Sequence, residues 1–131
     1  MARILVVEDN PANITLAIFL LESAGHTVIS ASDAEAGLTL ARDQQPNLIL
    51  MDIQLPGMDG LQATVLLKRD EATRAIPVIA LTALAMKGDE ERIRAAGCDG
   101  YIAKPLAYRD FLAVISEQLA TTPRQRQHSP R

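Results

Sequence analysis

Five short aliphatic runs along the chain alternate with longer segments in which apolar residues recur every three or four positions. The short runs have few polar positions, as strands do when a parallel sheet buries them on both faces. The longer spacing is typical of helices with one buried face. The pattern therefore predicts five strands alternating with five helices. The predicted strands cover residues 3–7, 27–31, 47–51, 77–81 and 100–103, and the predicted helices cover 11–24, 34–43, 61–70, 86–96 and 106–119.

Residue types at the helix ends and on the helix faces support this division. Asn10 suits an N-cap, and Gly25 suits the position after the end of the first helix. The fourth helix is the most polar, and the spacing of Glu90 and Arg94 at i,i+4 indicates a solvated face. The residues predicted to face the core are Ile14, Ala17, Ile18, Leu21 and Ala24 in the first helix, Ala34, Gly37, Leu38 and Ala41 in the second, Leu61, Val65 and Leu66 in the third, and Leu106, Phe111, Leu112, Ile115 and Leu119 in the fifth.

Strands joined in this way by helices predict a doubly wound α/β fold. Right-handed crossovers leave few arrangements other than a single parallel sheet. Of the two common strand orders, 2-1-3-4-5 suits a five-stranded chain of 131 residues. We therefore expect a (βα)5 five-stranded parallel sheet of the flavodoxin-like kind. In that order the first and third strands are neighbours, and functional groups are expected in the crevice at their carboxyl ends.

Composition and charge agree with one ordinary globular domain. The chain is 48% hydrophobic and 22% charged with a net charge of −3, which gives no support for binding to nucleic acid or to an anionic membrane. No apolar run approaches the roughly 18 residues needed to cross a bilayer. The single cysteine, Cys98, suits a reducing cytoplasm, where we expect the protein to act. We expect a domain at residues 1–120 and a disordered tail at 121–131, where no apolar period is found.

Three acidic residues follow the first and third strands. Glu8 and Asp9 come after the first strand and Asp52 after the third, so the expected strand order makes them neighbours. Carboxylates about 4 Å apart repel by roughly 1 kcal/mol per pair in water and about 4 kcal/mol at an effective dielectric constant of 20. A bound cation relieves that repulsion, and oxygen-only ligands favour Mg²⁺. Protonation of one carboxyl group, or acids that point apart into solvent, is the alternative.

A hydroxyl and an amine follow the last two strands at the same edge of the sheet. Thr82 ends the fourth strand and Lys104 follows the fifth. Together with a carboxylate and Mg²⁺, such groups can bind a phosphoryl group, whose three oxygens carry negative charge. Asp52 is the group among them that is suited to attack phosphorus. Taken singly, Thr82 also fits an ordinary strand end and Lys104 an ordinary surface lysine.

Four sequence motifs resemble those of response-regulator receiver domains of two-component signalling. They are V-V-E-D-N at 6–10, M-D-I-Q-L-P-G-M-D-G at 51–60, L-T-A at 81–83 and Y-I-A-K-P at 101–105, and the resemblance covers about residues 2–119. The segment at 85–98 is also similar to that of single-domain receivers of the DivK type and of receivers within hybrid histidine kinases. The resemblance implies the flavodoxin-like receiver fold.

The resemblance also implies how the acids act. Asp52 would accept a phosphoryl group from a phosphohistidine of a histidine kinase or histidine phosphotransferase. Mg²⁺, or Mn²⁺ in its place, would be held by Asp9, Asp52 and the backbone carbonyl of Gln54, with Glu8 acting through water. The chain would then be a signalling switch rather than an enzyme, catalysing only its own phosphotransfer and autodephosphorylation.

Further roles follow from the same resemblance. Thr82 and Lys104 would bind the phosphoryl oxygens, and Tyr101 would be the switch aromatic that moves inward as Thr82 closes on the phosphate. The bond between Lys104 and Pro105 would be cis. The face built from the fourth helix, the fifth strand and the fifth helix would then meet a downstream protein, with no direct role for nucleic acid or membrane.

Other functions remain open from the sequence. A flavin-binding electron carrier uses the same fold, but Glu8 and Asp9 would repel its phosphate, and the chain has no Trp and only two Tyr and two Phe. An aspartate-nucleophile phosphatase usually has a second acid two residues after the nucleophile, where this chain has Gln54. A third alternative is a receiver fragment of a hybrid histidine kinase or of a multidomain response regulator.

Overall fold

The computed structural model describes residues 2–83, 87–104 and 108–121. Within these ranges, strands and helices alternate as the hydrophobic pattern predicts. In chain order they are β1 (Arg3–Val7), α1 (Pro11–Ser23), β2 (Thr27–Ala31), α2 (Ala34–Gln44), β3 (Leu48–Asp52), α3 (Gly60–Arg69), β4 (Val78–Thr82), α4 (Lys87–Ala96), β5 (Gly100–Ala103) and α5 (Tyr108–Thr121). None of the helices in the described part of the chain is both long and apolar enough to span a membrane.

The strands form one parallel sheet in the order β2-β1-β3-β4-β5. Helices α1 and α5 pack on one face, where Leu21 and Phe111 meet alternate residues of the central strands. Helices α2 and α3 cover the other face through Ala41 and Leu67, and α4 joins them there through Ile93. The sheet is buried on both sides because the right-handed crossovers distribute the helices over both faces. The predicted fold class is confirmed.

The central strand is displaced by one residue from its predicted position. It covers Leu48–Asp52 rather than 47–51, and all five of its residues are buried. Asn47 precedes it and donates its backbone N–H to the Arg3 carbonyl over 2.8 Å. Asp52 pairs with Leu81 of β4. The acid is therefore held in the rigid ladder of the sheet instead of in the loop that follows.

The predicted inner faces of two helices need correction. In α1, Leu20 is buried and Ala24 is exposed. In α3, Leu61 and Val65 are only partly buried and Leu66 is 42% exposed. The buried residues of α3 are Gly60, Ala63, Thr64 and Leu67.

Close packing at the start of α3 explains the second correction. A Cβ atom at Gly60 would lie 2.1 Å from the Asp52 carbonyl oxygen, so the helix approaches β3 as nearly as a glycine permits. Asp59 caps the helix and forms a capping box with Gln62, which orients its first turn. The face at Gly60, Ala63 and Leu67 therefore turns inward.

Some predictions fall on residues outside the described ranges. Met86 and Leu106 lie there, as do Pro105, with its predicted cis bond, and most of the predicted tail at 121–131. The remaining predicted inward residues of the fifth helix agree with the structure, since Phe111 and Ile115 are buried and Leu112 and Leu119 pack against the same core.

Candidate functional site

Glu8, Asp9 and Asp52 meet at the carboxyl edge of the sheet. β1 and β3 are adjacent and parallel, so the residues that end them share one edge. Each acid offers a carboxylate oxygen within 4.8 Å of those of the other two. In the part of the chain that the structure describes, this is the one group of three or more potential metal ligands. The alternative in which the acids point apart into solvent is thereby excluded.

The three acids differ sharply in exposure. Glu8 is 1% exposed and Asp52 is 2% exposed, whereas Asp9 is open to solvent. Asp52 Oδ1 accepts the Gln54 backbone N–H over 2.9 Å, and Glu8 Oε2 accepts the Asn10 backbone N–H over 3.2 Å. Burial raises the pKa of Glu8, and the neighbouring Asp52 raises it further.

Lys104 is the cation that faces these acids. Its Nζ atom lies 3.1 Å from Asp52 Oδ2 and 3.0 Å from Glu8 Oε1. The contact with Asp52 has hydrogen-bond geometry. The approach to Glu8 Oε1 is close enough for an ion pair but not directed as a hydrogen bond, so that buried oxygen lacks a donor among the described residues. Burial lowers the pKa of Lys104, but the two carboxylates outweigh this effect and the net shift is upward.

The site fits a hard divalent cation. One ammonium opposes three carboxylates, which leaves negative charge in a largely buried pocket. Glu8 Oε1 is a buried acceptor at which no described residue directs a hydrogen-bond donor, although the Lys104 ammonium lies 3.0 Å away, and Asp9 offers a carboxylate from the solvent side. A ligand set made only of oxygens matches Mg²⁺, which usually keeps several waters and binds one or two carboxylates.

Gln54 lies beside the acids on the loop after β3. Its backbone N–H donates to Asp52 Oδ1, which keeps this part of the loop next to the carboxylate. Its side chain is exposed. The predicted use of the Gln54 carbonyl as a metal ligand remains a prediction.

Thr82 is fully buried at the end of β4. Asp52 pairs with Leu81 in the adjacent strand, so Thr82 is one residue beyond the partner of the acid. Thr82 in turn pairs with Ala103, and its carbonyl accepts the Lys104 backbone N–H over 2.8 Å. The sheet therefore brings Asp52, Thr82 and Lys104 to one edge from three adjacent strands.

Tyr101 has a partner that the sequence did not indicate. Its hydroxyl donates to Glu90 Oε2 over 2.6 Å, and this bond raises the pKa of Tyr101. The ring packs against a small cluster formed by Ile53, Ala80 and Ile93. Glu90 was expected to pair with Arg94 on a solvated face, and the structure directs it to the β5 tyrosine instead. No sequence signal identifies this contact, because it depends on how α4 rests against the sheet.

Comparison with known proteins identifies the family. Residues 4–116 match the family model of the response regulator receiver domain. The polar-differentiation response regulator DivK of Brucella ovis is 50% identical over 116 residues, which is 88% of this chain and 94% of the relative. DivK of Brucella anthropi is 49% identical over the same shares of the two chains.

Two solved structures show the same arrangement of strands and helices. The receiver domain of a sensor histidine kinase from Pseudomonas aeruginosa, with a magnesium ion coordinated in its active-site cleft, has a TM-score of 0.85 and 37% identity. That comparison covers 92% of this chain and 98% of the other. A CheY-like receiver domain protein from Methanospirillum hungatei has a TM-score of 0.86 and 31% identity over 95% of this chain and 98% of the other. The chain therefore belongs to the response regulator receiver domain family, whose general function is phosphorylation-dependent signalling.

Proposed function

We propose that Asp52 accepts a phosphoryl group from a phosphohistidine of a histidine kinase or histidine phosphotransferase. The observation that carries the proposal is the position of Lys104, whose ammonium lies within 3.1 Å of both Asp52 and Glu8 in the acid cluster. A surface ion pair needs one carboxylate, whereas a phosphoryl site needs excess acid for a metal and a cation for the phosphoryl oxygens. The acids at the ends of β1 and β3 provide the first, and Lys104 after β5 provides the second.

In the proposed transfer, a carboxylate oxygen of Asp52 attacks phosphorus. An O–P bond forms, the P–N bond to the donor histidine breaks, and the imidazole leaves with its electron pair and takes up a proton. The ladder of β3 and the Gln54 N–H hold the carboxylate in position, so little reorganisation is needed. Lys104 and the hydroxyl of Thr82 then bind phosphoryl oxygens.

The metal role follows from the acid cluster. We assign Mg²⁺, or Mn²⁺ with the same oxygen ligands, to Asp9, Asp52 and the Gln54 carbonyl, with Glu8 acting through water. When bound, the ion supplies positive charge that offsets repulsion between the acceptor carboxylate and the incoming phosphoryl group. The buried Glu8 oxygen at which no described residue directs a hydrogen-bond donor, and the solvent-facing Asp9, support this assignment.

Two other functions are less well supported. An aspartate-nucleophile phosphatase needs an acid for the leaving group two residues after Asp52, and Gln54 does not supply one. A flavin carrier would place its phosphate beside Glu8 and Asp9, where the charge is already negative. A receiver within a hybrid kinase or a multidomain regulator uses the same chemistry, and the sensor-kinase receiver from Pseudomonas aeruginosa keeps that context open.

We further propose a cytoplasmic switch that acts by protein contact. A histidine kinase or histidine phosphotransferase would load Asp52, and a downstream protein would bind the face formed by α4, β5 and α5. Phosphorylation can shift the equilibrium between two conformations of that face only if the phosphoryl group makes different contacts in each of them. Thr82 is suited to this task because it joins the acid site to β5 through its pairing with Ala103.

The test is phosphorylation by a small donor. The full chain is incubated with acetyl phosphate or phosphoramidate and Mg²⁺, and the modified residue is located by mass spectrometry. Asp52→Asn should abolish labelling. Asp59→Asn is the matched control, because Asp59 is in the same loop but caps α3, and asparagine caps a helix equally well. Equal labelling of wild type and Asp52→Asn would refute the proposal.

A second variant separates chemistry from signalling. Thr82→Ala should retain labelling, because Asp52 and Lys104 remain in place. Its amide shifts in α4, β5 and α5 on phosphorylation should be smaller than those of the wild type. Amide shifts confined to the surroundings of Asp52 in the wild type would show that the proposed protein-binding face does not respond.

A further inference from the structure

A hydrogen bond between Tyr101 and Glu90 joins the last strand of the sheet to the fourth helix. The Tyr101 hydroxyl donates to Glu90 Oε2 over 2.6 Å. Tyr101 belongs to β5 and is half-buried, while Glu90 lies in the first turn of α4. An O–H group that donates to a carboxylate over this distance makes one of the stronger protein hydrogen bonds. The bond therefore couples the position of the phenol ring to that of α4.

The ring of Tyr101 lies on the same face of the sheet as the side chain of Thr82. Tyr101 pairs with Ala80, and Thr82 is two residues further along β4, so the three side chains share a face. O–H···O bonds extend to about 3.0 Å. A movement of the Tyr101 hydroxyl by about an ångström directly away from Glu90 would stretch the 2.6 Å contact beyond this range unless Glu90 moves as well.

We propose that Glu90 is a positioning residue that holds Tyr101 in the unphosphorylated arrangement. This rests on the proposed function, in which Thr82 binds the phosphoryl group at Asp52, and on the inward movement that the family resemblance implies for Tyr101. The bond stabilises only the arrangement in which Tyr101 remains beside Glu90. The conformational change on phosphorylation must break this hydrogen bond. A phosphoryl mimic therefore binds less tightly than it would if the bond were absent.

Binding of beryllofluoride in the presence of Mg²⁺ measures the effect. The ligand mimics the acyl phosphate, and its dissociation constant is obtained from amide shifts of the full chain. Glu90→Ala should lower that constant by about two- to tenfold, the worth of one partly exposed hydrogen bond. Glu91→Ala is the matched control, because it removes an exposed carboxylate from the same helix and should leave the constant unchanged. Mg²⁺ affinity alone should not change in either variant.

A double-mutant cycle separates the hydrogen bond from the charge. Tyr101→Phe keeps the ring and removes the donor, so it should tighten beryllofluoride binding about as much as Glu90→Ala does. In the Tyr101→Phe background, Glu90→Ala should have no further effect. An equal effect of Glu90→Ala with and without the tyrosine hydroxyl would overturn the proposal.

The two hypotheses fail in different ways. Wild-type binding that depends on Asp52, combined with unchanged or weaker binding by Glu90→Ala, overturns the role of Glu90 and leaves the phosphoacceptor role intact. Beryllofluoride binding that is absent from the wild type, or that survives in Asp52→Asn, overturns both.

Discussion

Replacement of Lys104 by methionine tests whether the ammonium holds the acid cluster together. Methionine keeps most of the side-chain volume and removes the charge together with its hydrogen bond to Asp52. Lys104 Nζ lies 3.0 Å from Glu8 and 3.1 Å from Asp52, and the side chains of these acids are 1% and 3% exposed. At an effective dielectric constant of about 20, each contact carries a Coulomb energy of about 5 kcal/mol. Desolvation of the ammonium offsets much of this, so we expect a net loss of about 3 kcal/mol in the free energy of unfolding.

Urea unfolding in the absence and presence of saturating Mg²⁺ measures this loss. A cation bound at the acids stabilises the folded state by mass action. The stabilisation by Mg²⁺ should be larger in Lys104→Met than in the wild type, because the ammonium no longer competes for the same carboxylates. Much of the stability that the variant loses should therefore return when Mg²⁺ is added.

Arg42 provides the control, because it makes an ion pair of the same length on the surface. Arg42 Nε lies 3.1 Å from Asp70 Oδ2, with side-chain exposures of 58% and 31%. Arg42→Gln should cause little measurable change with or without Mg²⁺, since exposed ion pairs contribute little. Two results would refute this reasoning: Lys104→Met as stable as the wild type without Mg²⁺, or an equal response of Lys104→Met and Arg42→Gln to Mg²⁺. Either would show that burial of the acid cluster does not increase the contribution of the Lys104 ion pairs to the free energy of unfolding.

Three further predictions concern residues outside the acid cluster. Gly60→Ala should lower the unfolding free energy by about 2 kcal/mol, because its Cβ atom would lie 2.1 Å from a backbone oxygen of β3. Gly88→Ala should be neutral or stabilising in the same urea titration, because among the described residues nothing beyond its chain neighbours and its own helix backbone lies within 4 Å of the added carbon. Lys68→Met should cost about 1–2 kcal/mol in urea unfolding, because Lys68 donates to two backbone carbonyls after α3 and to a carboxylate before β5, and unchanged stability would show these bonds to be dispensable. His26 should titrate by NMR below the ordinary histidine pKa of about 6.5, because burial, followed by the charge of the chain N-terminus, lowers the pKa of His26. Because the folded state disfavours the protonated imidazole, the contribution of His26 to stability is complete above its unfolded-state pKa and is lost as the pH falls. Below about pH 6.5 the wild type should therefore lose more stability than His26→Gln. Equal losses would contradict this.

The candidate site could be predicted because its residues follow strands. Parallel strands joined by right-handed crossovers bring their carboxyl ends to one edge, so the chain positions of Glu8, Asp52 and Lys104 imply that they meet. The predicted bounds of β3 were one residue too early along the chain. Asp52 belongs to the strand because it pairs with Leu81, and a hydrophobic run does not reveal whether a polar residue at its end still takes part in the ladder.

The buried face of α3 could not be predicted in the same way. Apolar residues occur around much of this helix, so periodicity alone allows several faces to turn inward. The structure selects the face with small residues at Gly60 and Ala63, which lets the helix approach β3, and it leaves Leu66 exposed. The close approach of α3 to β3, and not the apolar character of its residues, determined which face of the helix is buried.

By itself, the sequence determined the order of strands and helices and the edge of the sheet at which polar residues collect. These follow from local hydrophobic periods and from the handedness of the crossovers, which act over short stretches of chain. Only the tertiary structure decided which atoms meet, such as Lys104 with both Glu8 and Asp52, and Tyr101 with Glu90. Such contacts depend on how far each helix is rotated about its axis and on which rotamer each side chain adopts. Many packing contacts between distant parts of the chain determine both together.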